Sequence, residues 1–455
     1  MCPQTQPNMS STSHLELPLE LLEYTVDYLH DDVHALRTCS LTCQSLLPVT
    51  RLHLFRCIIL RRVPDCLRFL DALETSAHTH ARIADYVKDL RTPFMALVSR
   101  GERKGWRFEL LRRILRDLHH LGSLRLYAFD WMGFMDLLYV DASVGSLRGV
   151  MAAFFPFPEL KELLIDNLVS RSHHELTLLI SLFPRLSRLE LQWTFMSRTT
   201  EPLPEPSYDV NDFQSIGRLA THMQTLVADF GCGSDLMVAG IVETLLSPPF
   251  HVCFSQIEWE TTPAGLRRAN RDDTQLLNEV LRSSEHKLES LKVTFGEDSW
   301  LEDLELSRYK RLTNLSFTFR NDDEGLFLPH LPGLVSGIAS QRLQEVHFHI
   351  EADGDEVPWD FVDWPSLDRA LASLHKRCPS ITLTFHFYGL LLLGQAKPDI
   401  VKPLKERIIQ TLQVGMRVAA VLSAMVYGPP EDSDQPLNMT LKIEPDEHHW
   451  VNVET

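Results

Sequence analysis

The sequence predicts an α/β fold: an N-terminal group of three helices, followed by an irregular solenoid that consists of a curved parallel sheet with outer helices. Three observations favour this architecture. The pattern LxxLxL recurs nine times between residues 121 and 383, and segments with the apolar spacing of a helix lie between the copies. The chain also has 455 residues, too many for one ordinary hydrophobic core unless its units stack as repeats.

The N-terminal helices are predicted from residues 15–47, which read LELPLELLEYTVDYLHDDVHALRTCSLTCQSLL. Pro18 suits the first turn of a helix, because its missing N–H has no intrahelical partner there. Apolar residues recur at i, i+4 and i+7 from Leu22 and form one face. Asp32 is positioned to cap a second helix. Three helices this short bury little by themselves, so part of their apolar surface is expected to contact a partner.

One ordered string within this segment is the most specific signal in the chain. It runs through Leu17-Pro18, Leu21-Leu22, Leu29, Asp32, Leu36, Cys39-Ser40-Leu41 and Cys43. This string resembles the F-box of the large fungal F-box families, here over residues 15–56. One position departs from the family pattern, because Leu46 stands where the family usually has Trp. The exchange of an aromatic anchor for an aliphatic one bears on binding strength and leaves the fold unaffected.

The resemblance implies that residues 15–56 dock on the Skp adaptor of a cullin–RING (SCF) ubiquitin ligase. The positions expected to contact the adaptor are Leu17, Pro18, Leu21, Leu22, Leu29, Leu36, Leu41 and Leu46. Each of these side chains has an alternative role in packing the three helices against one another. The alternative for the whole segment is an amphipathic three-helix cap without a partner.

The repeated pattern predicts a solenoid over residues 57–388. Its copies are Leu121-Leu124-Leu126, Leu160-Leu163-Ile165, Leu186-Leu189-Leu191, Met223-Leu226-Ala228, Phe254-Ile257-Trp259, Leu288-Leu291-Val293, Leu312-Leu315-Phe317, Leu343-Val346-Phe348 and Cys378-Ile381-Leu383, with a weaker one at Val87-Leu90-Thr92. The last two residues of each copy straddle one residue and so point to the same side of a strand. The pattern resembles the irregular leucine-rich repeats found behind F-boxes. Unrelated strands in a compact α/β protein are the alternative.

In such a solenoid, the residues between the inward-pointing ones line the other face of the sheet. The middle of this face is expected to be acidic, with Asp166, Glu190, Gln192, Asp229, Glu258 and Glu260 as candidate substrate-binding residues. We expect it to bind a protein segment rich in Lys or Arg. Ordinary solvation of a charged face is the alternative. His347 and His349 share the same face further along, and solvation is the favoured interpretation for both.

The remaining segments are expected to be peripheral. Residues 1–14 are expected to form a disordered tail, residues 389–427 a helical C-terminal cap, and residues 428–455 an acidic disordered tail.

Composition narrows the classes of partner. The chain has 44 basic and 61 acidic residues and a net charge of −17, which argues against nucleic acid and anionic membranes as partners. No apolar run approaches the length of a membrane span, and the N-terminus lacks the features of a signal peptide. The eight cysteines are dispersed, which favours reduced thiols in the cytoplasm, the nucleus or both.

Catalytic motifs are not expected in this sequence. It contains neither a phosphate-binding P-loop nor a nucleophile elbow, so no enzymatic activity and no cofactor are predicted. A possible zinc set of His30, His34, Cys39 and Cys43 would require four side chains on different faces to converge, so no metal is predicted. The expected function is that of a substrate receptor of an SCF-type ligase. The alternative is a repeat scaffold whose degenerate F-box, with Leu46, binds no adaptor.

Overall fold

A computed structural model describes most of the chain. The described residues are 18–42, 44–79, 82–93, 105–142, 146–196, 223–229, 235–248, 250–260, 271–295, 304–319, 328–354, 359–392, 401–426, 436–443 and 448–451. The predicted N-terminal tail, residues 1–14, lies outside them.

Helices and strands alternate along most of the described chain. The helices are α1 Leu19–Asp27, α2 Val33–Thr42, α3 Leu47–Arg56, α4 Val63–Ser76, α5 Ile83–Tyr86, α6 Gly105–Arg116, α7 Trp131–Ala142, α8 Leu147–Phe154, α9 His173–Ser181, α10 Asp235–Leu246, α11 Arg271–Ser283, α12 Leu331–Gly337, α13 Trp364–Arg377, α14 Val401–Arg407 and α15 Ile409–Gln413. The strands are β1 Cys57–Ile59, β2 Asp89–Arg91, β3 Ser123–Tyr127, β4 Glu162–Ser170, β5 Arg188–Met196, β6 Thr225–Asp229, β7 Gln256–Glu260, β8 Ser290–Phe295, β9 Asn314–Phe319, β10 Glu345–Gly354, β11 Thr382–Leu392, β12 Arg417–Val426, β13 Pro436–Ile443 and β14 His448–Val451.

The strands form one sheet in which spatial order follows chain order from β1 to β14. Strands β1 to β12 are all parallel, and β13 and β14 extend the sheet in antiparallel fashion. Each strand therefore pairs only with the strands before and after it in sequence, as in a solenoid. The predicted α/β class and the predicted parallel sheet are confirmed.

The LxxLxL copies stack in register, which explains why they recur. Leu124 aligns with Leu163, and the alignment continues strand by strand to Val346. A second row runs from Leu126 to Phe348, and both rows are buried in one core together with the helices. Within the second row, the small Ala228 lies beside the large Trp259, so volumes compensate between neighbouring strands.

A ladder of backbone hydrogen bonds marks the entry to each strand. The carbonyl of Lys161, for example, accepts from the amides of Ser187 and Arg188, and the carbonyl of Ser187 accepts from those of Gln224 and Thr225. The same arrangement recurs at equivalent positions from β3 to β10. These bonds satisfy the polar backbone groups where the chain turns into the sheet, although the connections differ in length.

The predicted register is wrong for the last copy of the pattern. Val346 pairs with Leu383 and Phe348 pairs with Phe385, so the copy in β11 lies two residues later than Cys378-Ile381-Leu383. The periodicity of a strand is two, and a shift of two residues preserves the inward and outward alternation. Both registers of β11 are therefore compatible with the sequence pattern, and only the observed pairing with β10 distinguishes them.

The C-terminal prediction also needs correction. The expected cap at 389–427 contains two short helices, α14 and α15, followed by β12, which adds a twelfth parallel strand. Leu404 on α14 and Ile408, between the two helices, are buried in the core. The Asp368 carboxylate on α13 accepts from the amides of Gln410 and Thr411, so it caps α15 from a neighbouring repeat. Residues 428–455, expected to be disordered, contribute β13 and β14.

Candidate functional site

The N-terminal helices form a small unit with few buried side chains. Helix α3 packs against α1 and α2. It also contacts β1 and α5, and these contacts join the unit to the sheet. Among the side chains of this unit that the structure describes, those of Val26, Leu36 and Thr50 are buried. An imidazole–carboxylate contact of 2.8 Å between His53 Nε2 and Asp27 Oδ1 links α3 to α1. The Asp32 carboxylate accepts from the Ala35 amide, so the predicted cap of α2 is confirmed.

Large apolar side chains remain exposed on this unit. On α1, Leu21 is 53% exposed, and Tyr24 and Tyr28 are exposed beside it, with their rings in an edge-on contact at 5.0 Å. On α2, Val33 is exposed and Leu41 is 88% exposed. Single exposed apolar side chains are ordinary on a protein surface, whereas a group of neighbouring ones, such as Leu21, Tyr24 and Tyr28, is typical of an interaction site.

The residues expected to contact an adaptor differ in their exposure to solvent. Leu17 lies outside the described residues. Pro18, Leu21 and Leu41 are exposed, and Leu22, Leu29 and Leu46 are partly exposed.

The prediction that Leu36 contacts an adaptor needs correction, because this side chain is 0% exposed and packs inside the unit. Leu41 follows it by five residues, a rotation of about 140° around the helix axis, so the two side chains point to different sides of α2.

The second candidate surface is the polar face of the sheet, which we define as the face opposite the leucine rows. On it, Leu164 aligns with Glu190, which aligns with Val227 and then with Glu258. In the next row, Asp166 aligns with Gln192, and Asp229 aligns with Glu260. All six candidate substrate-binding residues therefore lie on the neighbouring strands β4 to β7.

Two carboxylates of the polar face, those of Glu190 and Glu258, already have partners within the chain. The Arg188 guanidinium lies 3.2 Å from the Glu190 carboxylate, and the Gln192 amide donates to the same group at 2.6 Å. Lys292 Nζ lies 3.5 Å from Glu258 Oε2. Burial, together with repulsion from Glu190, raises the pKa of Asp166. The face is thus acidic in its middle, but less strongly than the sequence suggested.

The prediction that Asp229 binds a substrate on the polar face also needs correction. It is only 6% exposed, and its neighbour Val227 on the same strand is also buried. Adjacent strands lie about 4.8 Å apart, so a short side chain on a central strand is shielded by longer ones on either side. The Asp229 carboxylate cannot offer a surface contact to a large partner without rearrangement.

The two ends of the polar face differ in chemistry from its middle. At the N-terminal end, the Asp89 carboxylate lies 3.1 Å from the Arg91 guanidinium and 3.9 Å from that of Arg125. At the C-terminal end, His347 and His349 on β10 lie beside His386 on β11. Sequence reasoning found the first two histidines and missed His386. The misplaced register of β11 put Thr382 and Thr384 opposite them, whereas His349 pairs with His386.

Comparison with protein-family models gave no match, and comparison with curated protein sequences gave no significant match. Among the described residues, no helix is long and apolar enough to cross a membrane.

Proposed function

We propose that this chain is a substrate receptor of an SCF-type (cullin–RING) ubiquitin ligase. Residues 15–56 act as an F-box that docks on the Skp adaptor, which links the receptor to cullin. The solenoid acts as an irregular leucine-rich-repeat domain that holds a protein substrate through a segment rich in Lys or Arg, in the cytoplasm, the nucleus or both. The chain then contributes proximity, which raises the effective concentration of the substrate at the conjugating enzyme without adding catalytic groups.

The observation that carries this proposal is the exposed apolar surface of α1 and α2. Leu21 and Leu41 belong to the F-box-like string, and both are exposed at the surface of a unit whose own core is small. If the string served only internal packing, its leucines would be expected inside, as Leu36 is. The surface and the string together support an adaptor-binding role.

A second feature supports the receptor role. The polar face of the sheet and the apolar side chains of α1 and α2 lie on different parts of the chain and differ in chemistry. One surface is apolar and the other is charged, so each is suited to a different partner. Two separate binding surfaces of unlike chemistry are what a receptor that joins an adaptor to a substrate requires.

The adaptor interaction is tested with two charge substitutions, Leu21→Asp and Leu41→Asp, in the full chain. The purified variants are mixed with purified Skp adaptor, and Kd is measured by isothermal titration calorimetry. Each substitution places a carboxylate in an apolar interface, so we expect a loss of at least about 30-fold, corresponding to about 2 kcal/mol. Leu67→Asp is the matched control, because Leu67 on α4 is 52% exposed but lies outside the unit.

The outcomes separate the proposal from its alternative. Adaptor binding by the parent chain and by Leu67→Asp, with a loss in the other two variants, supports the receptor. If the folded parent chain does not bind the adaptor, the degenerate-F-box scaffold is the better interpretation. A Leu46→Trp variant then shows whether the missing aromatic anchor is responsible, because restored binding would assign the loss to that position.

The substrate surface is tested by charge reversal in the middle of the polar face. The triple variant Glu190→Lys, Glu258→Lys and Glu260→Lys should capture at least about tenfold less of a Lys- or Arg-rich peptide than the parent chain. A control triple variant reverses acidic residues outside this face: Glu109→Lys, Glu159→Lys and Glu305→Lys. Equal capture by both folded variants would refute the acidic docking surface and leave adaptor binding unaffected.

A further inference from the structure

The histidines at the C-terminal end of the polar face come from two neighbouring strands. His347 and His349 are two residues apart on β10, so their side chains leave the same face. His386 is the register partner of His349 on β11. Each of the three residues offers one ring nitrogen, and these nitrogens all lie within 4.8 Å of one another. We refer to these three residues as the histidine cluster.

The contacts within the histidine cluster are already close to those of a metal site. His347 Nδ1 lies 3.1 Å from His386 Nε2. Two nitrogens bound to one tetrahedral Zn²⁺ at about 2.0–2.1 Å lie about 3.3 Å apart, so the observed separation needs little change. The rings of His349 and His386 are stacked with centroids 4.1 Å apart.

We propose that His347, His349 and His386 form a binding site for a Zn²⁺-class divalent cation. The three imidazoles supply three ligands, and a water molecule or a side chain of a bound partner supplies the fourth. Imidazole nitrogen favours zinc and related transition metals over Mg²⁺ and Ca²⁺, which prefer oxygen ligands. The inference is independent of the proposed ligase role.

The surroundings of the histidine cluster suit this chemistry. Glu345 Oε2 lies 3.5 Å from His347 Nε2, where a carboxylate orients a ligating imidazole. The His347 side chain is 29% exposed, so a cation can reach the site from solvent.

Other clusters of polar side chains do not offer an equivalent site. The buried Glu175 carboxylate accepts hydrogen bonds from Trp131 Nε1, Tyr139 Oη and Ser170 Oγ. Its oxygens are therefore satisfied by the chain itself, and the cluster is structural. Among the described residues, the histidine cluster is the group of His, Cys, Asp and Glu side chains whose ligand atoms all lie within 4.8 Å of one another.

The test is titration of the full, tag-free chain with ZnCl₂, monitored by isothermal titration calorimetry. We expect one site per chain with a Kd of about 1 µM or tighter. His347→Gln and His386→Gln should each weaken binding by at least about 100-fold, and Glu345→Gln by about tenfold. His174→Gln is the matched control, because His174 is also in ring contact with another histidine, His173, at 4.0 Å. MgCl₂ should give no binding at this site.

Two further measurements make the result decisive. Exposed Cys57 is an unrelated ligand for zinc, so Cys57→Ser should leave the histidine site unchanged. Co²⁺ bound to the parent chain should show the visible absorption of a four-coordinate nitrogen site, and His386→Gln should abolish it. Absence of binding by the parent chain would overturn the inference, as would equal Zn²⁺ affinity in folded His347→Gln. If either His347→Gln or His386→Gln fails to fold, the Zn²⁺ affinity of the other variant decides the test.

Discussion

The N-terminal helices and the sheet use the same apolar residue types with opposite results. In the sheet, the leucine rows are almost completely buried, and each row is covered by neighbouring strands and by helices. In the N-terminal unit, Leu36 is buried, whereas Leu41 on the same helix is exposed. An apolar pattern is therefore buried by the chain itself only where enough neighbouring chain packs against it. The short unit has too little chain to cover its own apolar side chains, which makes it the better candidate for a permanent partner.

The largest effect is expected in the core of the sheet. Phe317 on β9 is fully buried, and its ring stacks on Phe348 with centroids 5.9 Å apart. Phe317→Ala should lower the free energy of unfolding by about 3–5 kcal/mol, because it leaves a cavity in a row that continues through the sheet. Urea denaturation followed by circular dichroism measures the change. A loss below about 1 kcal/mol would contradict the self-sufficient core.

A smaller and local effect is expected in the N-terminal unit. Leu36→Ala should destabilise α1 to α3 by about 2–3 kcal/mol, within the range for buried leucines. Hydrogen exchange should speed up in these helices, whereas protection of β4 to β9 should not change. If the sheet lost protection to the same extent, the two regions would form one cooperative unit and the comparison would fail.

A substitution between two helices tests how closely the repeats pack. Gly240 on α10 is buried, and a Cβ atom there would lie 2.6 Å from Cγ and Nδ1 of His173 on α9. Gly240→Ala should therefore lower the free energy of unfolding by about 1–2 kcal/mol, despite the better helix propensity of Ala. Thermal denaturation measures it, and Gly333→Ala is the control, because no atom lies within 4 Å of its added Cβ.

The same contact predicts a dependence of stability on pH. Burial, with a smaller contribution from His174, lowers the pKa of His173 to about 4. An unfolded histidine takes up its proton near pH 6.5, so this side chain stabilises the fold above that pH, and its contribution is lost as pH falls from about 6.5 towards 4. His173→Gln should reduce the loss of stability between pH 7.5 and pH 5 by about 1 kcal/mol. An unchanged pH dependence would show that His173 is solvated.

The smallest effect on stability is expected at the exposed leucine. Leu41→Ser should change the free energy of unfolding of the isolated chain by less than about 0.5 kcal/mol, because its side chain is already in water. Adaptor affinity should fall at the same time. A substitution that matters for binding and not for folding marks a surface kept for a partner, whereas a large loss of stability would place Leu41 inside the unit.

Much of the fold was predictable from the sequence because local periodicity carries it. The triplets from Leu121 to Phe348 predicted the strands and which of their side chains point inward. The start of α1 near Pro18 and the cap at Asp32 followed from short-range hydrogen-bonding rules. The candidate site was predictable only in part. The sequence indicated which residues lie on the polar face but not that Asp229 is buried, and it left open whether Leu36 contacts an adaptor or packs inside the unit.

The alternation of strands and helices, the two buried rows of the sheet and the apolar character of the N-terminal helices all depend on spacing within a few residues. They can therefore be predicted from the amino-acid sequence directly. The tertiary structure alone decided the register of β11, and with it the meeting of His386 with His349. It also decided that residues 417–426, 436–443 and 448–451 continue the sheet. Parallel pairing depends on the path of the connection between two strands, and a period of two cannot distinguish registers that differ by two residues.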